Sequence, residues 1–127
     1  MGIFVNTSRT QMMINRLNQL RSSSPDIQGA AIVSADGLPI ASVLSPDVEE
    51  DRVAAMSAAM ASLGERITAE LGRGQFEQVY IKGDIGFALL TSVGPDAVLT
   101  VIASSEARLG LLLLELRKTV QDLESLI

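Results

Sequence analysis

The sequence predicts a three-layer α+β domain, in which helices cover both faces of one antiparallel sheet. Segments with helical periodicity alternate with β-branched segments in the order helix, two strands, helix, three strands, helix. The connections within the strand runs are two or three residues long, which makes neighbouring strands antiparallel. Strands 85–93 and 97–103 are apolar on both sides of the pleat, so each needs cover on both faces. We expect the middle helix on one face and the terminal helices on the other.

All of these elements fit one domain over residues 9–127, preceded by an N-terminal arm at residues 1–8, because 127 residues is the length of a single domain. The predicted elements are a helix from Ser8 to the serines before Pro25, strands 28–34 and 38–43, a helix from Pro46 to about Gly72, strands 75–82, 85–93 and 97–103, and a helix from Ser104 or Ser105 onward.

Capping residues define the predicted helix boundaries. Ser8 and Gln11 have the spacing of a capping box at the start of the first helix. The middle helix has the clearest start, with Ser45 as N-cap and Pro46 at the first helical position. Gly72 is predicted to follow its last turn, since glycine is the usual residue just after a helix end.

The composition excludes most enzyme classes. The chain contains no His and no Cys, which removes thiolate nucleophiles, Ser-His-Asp triads, disulfides and the usual zinc sites. Its net charge of −5 repels phosphate backbones and anionic lipids, so we expect neither nucleic acid nor a membrane as partner. The sequence has neither the pattern of a signal peptide nor an unbroken apolar span, and we expect a cytoplasmic protein.

The residues that could carry chemistry have ordinary structural explanations. The glycines at 72 and 74 follow a helix and those at 83 and 86 lie in a hairpin, so neither pair has the strand-to-helix context of a phosphate-binding loop. The carboxylates at 49–51 lie in the first turn of a helix, where they compensate its dipole. We therefore predict no catalytic residue, no metal site and no cofactor.

The middle helix carries two apolar surfaces of different character. Large residues at spacings of three and four form a stripe that we expect to face the core: Val53, Met56, Met60, Leu63, Ile67 and Leu71. Small residues gather on the adjoining flank: Ala54, Ser57, Ala58, Ala61 and Gly64. A small flank lets another backbone approach closely, which favours a dimer or partner surface. The alternative is that alanine is present only as the best helix former.

The strand at residues 75–82 is predicted to be an edge strand. Polar and apolar residues interleave along it, with Phe76 and Tyr80 among the apolar members and Gln78 and Lys82 among the polar ones. It has no proline and few charges, which are common means of blocking a free edge. We predict that these four residues belong to an interface in which the edge pairs with another strand.

Leucines cover most of the circumference of the last helix. Leu111 and Leu114 lie well away from its main apolar stripe, which runs from Leu109 to Ile127. We expect the first helix to pack alongside and cover these two leucines. The alternative is that a partner protein covers them.

Two segments resemble the Roadblock dynein light chain family, including its MglB-like bacterial and archaeal members. They are residues 27–42 (IQGAAIVSADGLPIAS) and residues 79–117 (VYIKGDIGFALLTSVGPDAVLTVIASSEARLGLLLLELR). The most specific positions are Gly29, the Asp36-Gly37-Leu38-Pro39 turn, Gly94, Leu99 and Gly110. Local chemistry also predicts the turn at Asp36-Gly37, because glycine adopts the positive φ of a tight hairpin without strain.

The resemblance implies a profilin-like domain with a five-stranded antiparallel sheet. It further implies a homodimer in which the third strands pair into a continuous ten-stranded sheet and the middle helices lie side by side. Family members act as non-catalytic partners of small Ras-like GTPases, here of the MglA type, as activators, scaffolds or adaptors, or as dynein subunits. The MglB-like members supply no arginine finger, so the resemblance carries no catalytic residue over.

Two functional hypotheses follow. The first is a dimeric regulator or scaffold of a small GTPase, which binds through the paired middle helices. The second is a small-molecule sensor of similar three-layer architecture, for which Tyr80 and Lys82 are the polar candidates in a pocket.

Overall fold

The chain forms helices and strands in the predicted order. The computed structural model describes the backbone of residues 2–127 and the side chains of residues 9–127. Its elements are α1 (Gly2–Ser22), β1 (Ile27–Ser34), β2 (Pro39–Val43), α2 (Glu50–Glu70), β3 (Gln78–Lys82), β4 (Gly86–Val93), β5 (Ala97–Ser104) and α3 (Leu109–Glu124).

The five strands form one antiparallel sheet in the order β2-β1-β5-β4-β3. The prediction that the third strand lies at an edge is therefore confirmed. Two of the hairpin turns contain a glycine with positive φ, Gly37 at 88° and Gly94 at 65°, as their tight geometry requires. Because α2 connects β2 to β3, it must cross the sheet from one edge to the other.

The helices divide between the two faces as predicted. The core under α1 and α3 joins leucines of both helices to inward residues of the central strands: Leu17, Leu20, Leu112, Leu116, Leu123, Ile32, Leu89, Leu99 and Val101. Two smaller clusters lie under α2. One contains Ala61, Phe76, Leu90 and Val98. The other contains Ala54, Ala31 and Val33. This confirms the three-layer architecture.

α1 packs against α3 without covering the two outlying leucines. Arg16 Nε of α1 lies 2.7 Å from Asp122 Oδ2 of α3, which places α1 along the flank of α3 that bears Asp122. Leu111 and Leu114 remain 60% and 49% exposed. The expectation that the first helix covers these leucines is wrong, because α1 ends at Ser22 and both leucines lie beside residues 23–27, which follow it.

α2 begins at Glu50, later than the predicted start at Pro46. Leu44, just before this segment, is partly buried against Ala31, Val33 and Ala54. The chain must turn once more before it can run along the sheet, and the N–H of Val48 closes this turn on the carbonyl oxygen of Ser45 at 3.0 Å.

The predicted end of α2 is confirmed. The N–H of Gly72 donates to the carbonyl oxygen of Ala69 at 3.2 Å, and the N–H of Arg73 donates to that of Thr68 at 2.7 Å. These two hydrogen bonds are those of a Schellman motif, which satisfies carbonyl groups that the last turn would otherwise leave free.

α3 also begins later than predicted, because β5 continues through Ser104. The N–H of Ser104 donates to the carbonyl oxygen of Asp26 at 2.8 Å, and its hydroxyl donates to the carboxylate of Asp26 at 2.9 Å. A turn closed by the N–H of Ala107 on the Ser104 carbonyl oxygen then delays the helix until Leu109.

α1 is longer than predicted. It begins at Gly2, so Ser8 lies within the helix and the backbone of the predicted N-terminal arm continues it. Met1 and the side chain of Ser8, on which the predicted capping box depends, lie outside the described residues.

Gly64→Ala is expected to destabilise the fold, because a Cβ at this position would lie 2.5 Å from the ring of Phe76. Relieving this overlap requires a shift of the ring or of α2, at a cost of about 1–3 kcal/mol. Gly110→Ala on α3 is the control, since a Cβ there meets no atom within 4 Å and alanine favours the helix. Urea unfolding should give a lower midpoint only for Gly64→Ala. Equal midpoints for the two variants would contradict the close packing of α2.

Candidate dimer and partner interface

The small flank of α2 faces the sheet. Its buried members are Ala54, Ser57, Ala61 and Gly64, and Ala58 is half-buried. The expectation that this flank forms a free surface is therefore wrong. The residues are small because the helix lies close to the sheet, and the ring of Phe76 occupies the space beside Gly64. Phe76 is itself buried, so it belongs to the core rather than to the predicted interface.

A cross-strand row of residues defines the position of α2. Ala31, Thr100, Leu90 and Val79 lie opposite one another on β1, β5, β4 and β3, so their side chains point to the same face. The hydroxyl of Thr100 donates to Ser57 Oγ of α2 at 2.7 Å, and both residues are buried. α2 therefore lies over this row.

The large residues of α2 lie on the surface. Met56, Leu63, Ile67 and Leu71 are between 48% and 63% exposed, and Met60 is half-buried beside them. We call these five residues the α2 stripe. The expectation that the large residues face the core is wrong for Met56, Leu63, Ile67 and Leu71, because one helix cannot turn both of its apolar surfaces to the sheet. It holds for Val53 and Met60, which are partly buried against the two clusters under α2. An exposed apolar stripe of this size on a small domain is typical of an interaction surface.

The next row of the sheet lies at the margin of α2. Gly29, Ile102, Ala88 and Ile81 are paired across the same four strands and share the face that α2 covers. We call them the margin row. Gly29 is buried, Ile102 and Ala88 are half-buried and Ile81 is 43% exposed, so the cover decreases towards β3. Met60 packs on the same cluster as Ala88, which makes the α2 stripe adjacent to this row.

The outer edge of β3 has free backbone groups. The N–H of Gly83 donates to the carbonyl oxygen of Gly86 at 2.8 Å, and the N–H of Ser92 donates to that of Glu77 at 3.0 Å. Since backbone groups alternate in direction along a strand, the odd-numbered residues of β3 bond to β4. The N–H and C=O groups of the even-numbered residues point outward, and these residues are Gln78, Tyr80 and Lys82.

The side chains of these three residues lie on the face of α1 and α3. Tyr80 is 43% exposed, and its ring meets that of Phe87 edge to face, with centroids 4.9 Å apart. Gln78 and Lys82 are exposed on either side of it. Tyr80 and Lys82 therefore lie at the open edge of the sheet and do not converge on an interior pocket.

The exposed apolar residues on this side of the molecule include ones that the sequence prediction did not assign to a surface, namely the α2 stripe and Ile81. The sequence feature that could have identified the stripe as exposed is the presence of two apolar surfaces on one helix. A helix that crosses a sheet closely needs small residues at the contact, so the larger surface is the one left for a partner.

The described residues have few groups suited to chemistry. No group of three or more acidic side chains among them is placed to hold a metal ion. None of the helices within the described range is long and apolar enough to cross a membrane. What the residues on this side of the molecule can do is bind, through apolar contact along α2 and backbone hydrogen bonds along β3.

This architecture, with an open strand edge beside an exposed helix stripe, defines an interaction module. The chain belongs to the Roadblock/LC7 domain family, whose model matches residues 13–103. It is 32% identical over 114 residues to Uncharacterized protein MJ1340 of Methanocaldococcus jannaschii, which covers 90% of this chain and 99% of the relative.

Solved structures have the same fold. The Roadblock/LC7 domain from Streptomyces avermitilis matches with a TM-score of 0.83 at 26% identity, covering 88% of this chain and 94% of that one. Myxococcus xanthus MglB matches with a TM-score of 0.86 at 20% identity, covering 93% and 92% of the two chains. These matches confirm the predicted family and fold class.

Proline substitutions should distinguish the two sets of backbone groups on β3. Gln78→Pro removes an N–H that points outward, so we expect the free energy of unfolding to fall by less than about 1 kcal/mol. Val79→Pro removes an N–H that bonds to β4 and leaves a carbonyl group of the sheet unpaired, with an expected loss of about 2 kcal/mol or more. Chemical unfolding at protein concentrations low enough to exclude self-association measures both losses. Equal losses would contradict the assigned direction of the β3 backbone.

Proposed function

We propose that this chain is a non-catalytic, homodimeric regulator or scaffold of a small Ras-like GTPase. The observation that carries the proposal is the continuity of three features on one side of the molecule. The α2 stripe borders the margin row, and the margin row ends at the free edge of β3. A partner seated here gains apolar contact and backbone hydrogen bonds together.

A second copy of the chain fits the β3 edge. When β3 pairs with its own copy about Tyr80, Gln78 lies opposite Lys82 of the partner subunit and Lys82 lies opposite the partner's Gln78. All three residues have outward N–H and C=O groups, so this register uses every free group of the strand. The two five-stranded sheets then become one sheet of ten strands.

The same two-fold axis brings the helices together. Because the axis is perpendicular to the sheet, both copies of α2 lie on one face and run antiparallel, with their stripes in contact. Burying a large apolar side chain contributes about 1.5–3 kcal/mol. Several such side chains from each subunit supply a stabilisation comparable to the free-energy cost of association, which is about 4–15 kcal/mol.

Family membership supports the GTPase as partner. The resemblance of this chain to the Roadblock family implies a small Ras-like GTPase as partner, the chain belongs to the Roadblock/LC7 domain family, and MglB has the same fold. The chain has no His and no Cys, which favours a role in which the GTPase performs the chemistry and this chain shapes or positions it. The proposal includes a cytoplasmic location, where such GTPases act.

Leu63→Glu should convert the dimer to a monomer, because it places a charge at the centre of the α2 stripe. Leu111→Glu on α3 is the matched control, since Leu111 is also an exposed helical leucine but lies on the opposite face of the sheet. Sedimentation equilibrium should give the dimer mass for the natural chain and Leu111→Glu, and the monomer mass for Leu63→Glu. A dimer mass for all three would exclude α2 as the interface.

The partner is tested with a purified MglA-type Ras-like GTPase loaded with GDP or with a non-hydrolysable GTP analogue. We expect calorimetry to show binding that the natural chain and Leu111→Glu retain and Leu63→Glu loses. Phosphate release from GTP then separates an activator, which raises the rate of the GTPase, from a scaffold, which leaves it unchanged. Absence of binding in both nucleotide states would contradict the GTPase as partner.

A further inference from the structure

We infer that the end of α2 extends beyond the sheet of its own subunit and covers the margin row of the partner subunit. This cover rests on the proposed homodimer and deepens that proposal, because it names the apolar contacts that a second copy supplies. Ile67 and Leu71, the last two members of the α2 stripe, are the covering residues. Ile81 and Ala88, at the β3 end of the margin row, are the residues that they cover.

α2 crosses the strands nearly at right angles. The carboxylate of Glu50 accepts a hydrogen bond from the hydroxyl of Ser42 on β2, at one edge of the sheet. Ala54, four residues later, packs against Ala31 on β1, and Ser57, three residues after that, bonds to β5. Each step of three or four residues advances the helix by about 4.5–6 Å, and neighbouring strands are about 4.8 Å apart. The helix therefore advances by about one strand per turn.

This advance carries the last turns of α2 past the other edge of the sheet. Gly64 is seven residues beyond Ser57, or about 10 Å, which is also the distance from β5 to β3 across two strand spacings. The ring of Phe76, from the segment that leads into β3, lies against Gly64 at this point. Ile67 and Leu71 are about 15 and 21 Å beyond Ser57. They therefore lie outside β3, the last strand on this side, and are 49% and 63% exposed.

The pairing of β3 with its copy continues the sheet under this overhang. With Tyr80 opposite the partner's Tyr80, Ile81 lies opposite the partner's Val79, and Val79 lies opposite the partner's Ile81. Val79 belongs to the row under α2, whereas Ile81 belongs to the margin row. The row under α2 in one subunit therefore continues as the margin row of the other subunit.

The overhang is level with the exposed part of that row. The partner's β3 and β4 lie about 14 and 19 Å from the β5 beneath Ser57, because they are the third and fourth strands beyond it in the ten-stranded sheet. Ile67, at about 15 Å, is level with the partner's Ile81, and Leu71, at about 21 Å, is closest to the partner's Ala88. The margin row loses its cover towards β3 in each subunit, and this is the place where the partner's α2 arrives.

The two covering residues also point towards this row. They follow Met60 by seven and eleven residues, so they lie on the same side of the helix as Met60, which packs on the cluster that includes Ala88. Ala61, on the underside of α2, packs with Leu90 and Val98, which lie in neighbouring rows of the sheet. α2 therefore rests between these rows, with the row of Leu90 on the side of Met60. That row is the one that continues as the partner's margin row.

Nuclear Overhauser effects between the methyl groups of two subunits test this cover on the natural chain. Equal amounts of methyl-labelled and unlabelled protein are mixed, so that an isotope filter selects the contacts between subunits. Pairing of β3 alone predicts a contact between Val79 and the partner's Ile81. The overhang of α2 adds a contact between Ile67 and the partner's Ile81.

The outcomes separate the overhang from the homodimer. The Val79 contact without the Ile67 contact would overturn the overhang and leave the homodimer intact. A chain that is monomeric at all concentrations would overturn the proposed homodimer and the overhang with it. A dimer that shows neither contact would overturn the β3 pairing on which the overhang depends.

Ile67→Ala and Leu114→Ala form a matched pair of variants, because both side chains are 49% exposed on helices and Leu114 lies on the opposite face of the sheet. Ile67→Ala removes a contact that the dimer makes twice, so its dimer dissociation constant should rise at least about tenfold. Leu114→Ala should leave the constant unchanged. Ile67→Ala combined with Ile81→Ala should raise it by less than the product of the two single effects, since both remove the same contact. Sedimentation equilibrium measures these constants, and equal values for Ile67→Ala and Leu114→Ala would contradict the overhang.

Discussion

The close approach of α2 to the sheet is the constraint on which the rest of the structure depends. Only small residues fit between the helix and the strands, and the hydrogen bond between Ser57 and Thr100 joins the two layers inside the core. Gly64 is the tightest point, because the ring of Phe76 fills the space that any side chain there would occupy. Because the buried residues of α2 are all small, the helix contributes close contacts between its backbone and the sheet, and it places no large side chain of its own in the core.

That constraint also determines the surface. A helix has one circumference, so turning the small flank to the sheet turns the large residues to solvent. α2 crosses the sheet close to one end of the strands and leaves the margin row partly open, most of all at Ile81. The exposed helix stripe, the open row and the free edge of β3 then lie side by side. The same packing that closes the protomer therefore produces the surface on which a second protein can be seated.

The sequence predicted local structure and element order well. The hairpin turns at Gly37 and Gly94 and the end of α2 at Gly72 depend on a few neighbouring residues, and they are where their chemistry placed them. The starts of α2 and α3 were predicted early, because the capping signals do not reveal that a separate turn, closed at Ser45 and at Ser104, precedes each helix. Leu111 was expected to be covered, yet neither helix spacing nor composition specifies how far along α3 the first helix will extend.

By itself, the sequence determined the family, the three-layer α+β fold, the edge position of β3 and the absence of histidine and cysteine chemistry. These properties follow from periodicity, turn residues and composition, which act over short distances along the chain. Only the tertiary structure decided which surface of α2 is buried. Hydrophobicity favours burying the larger side chains, but the distance between a helix and the sheet beneath it is set by the smallest residues at the contact, and that distance exists only after the layers have packed.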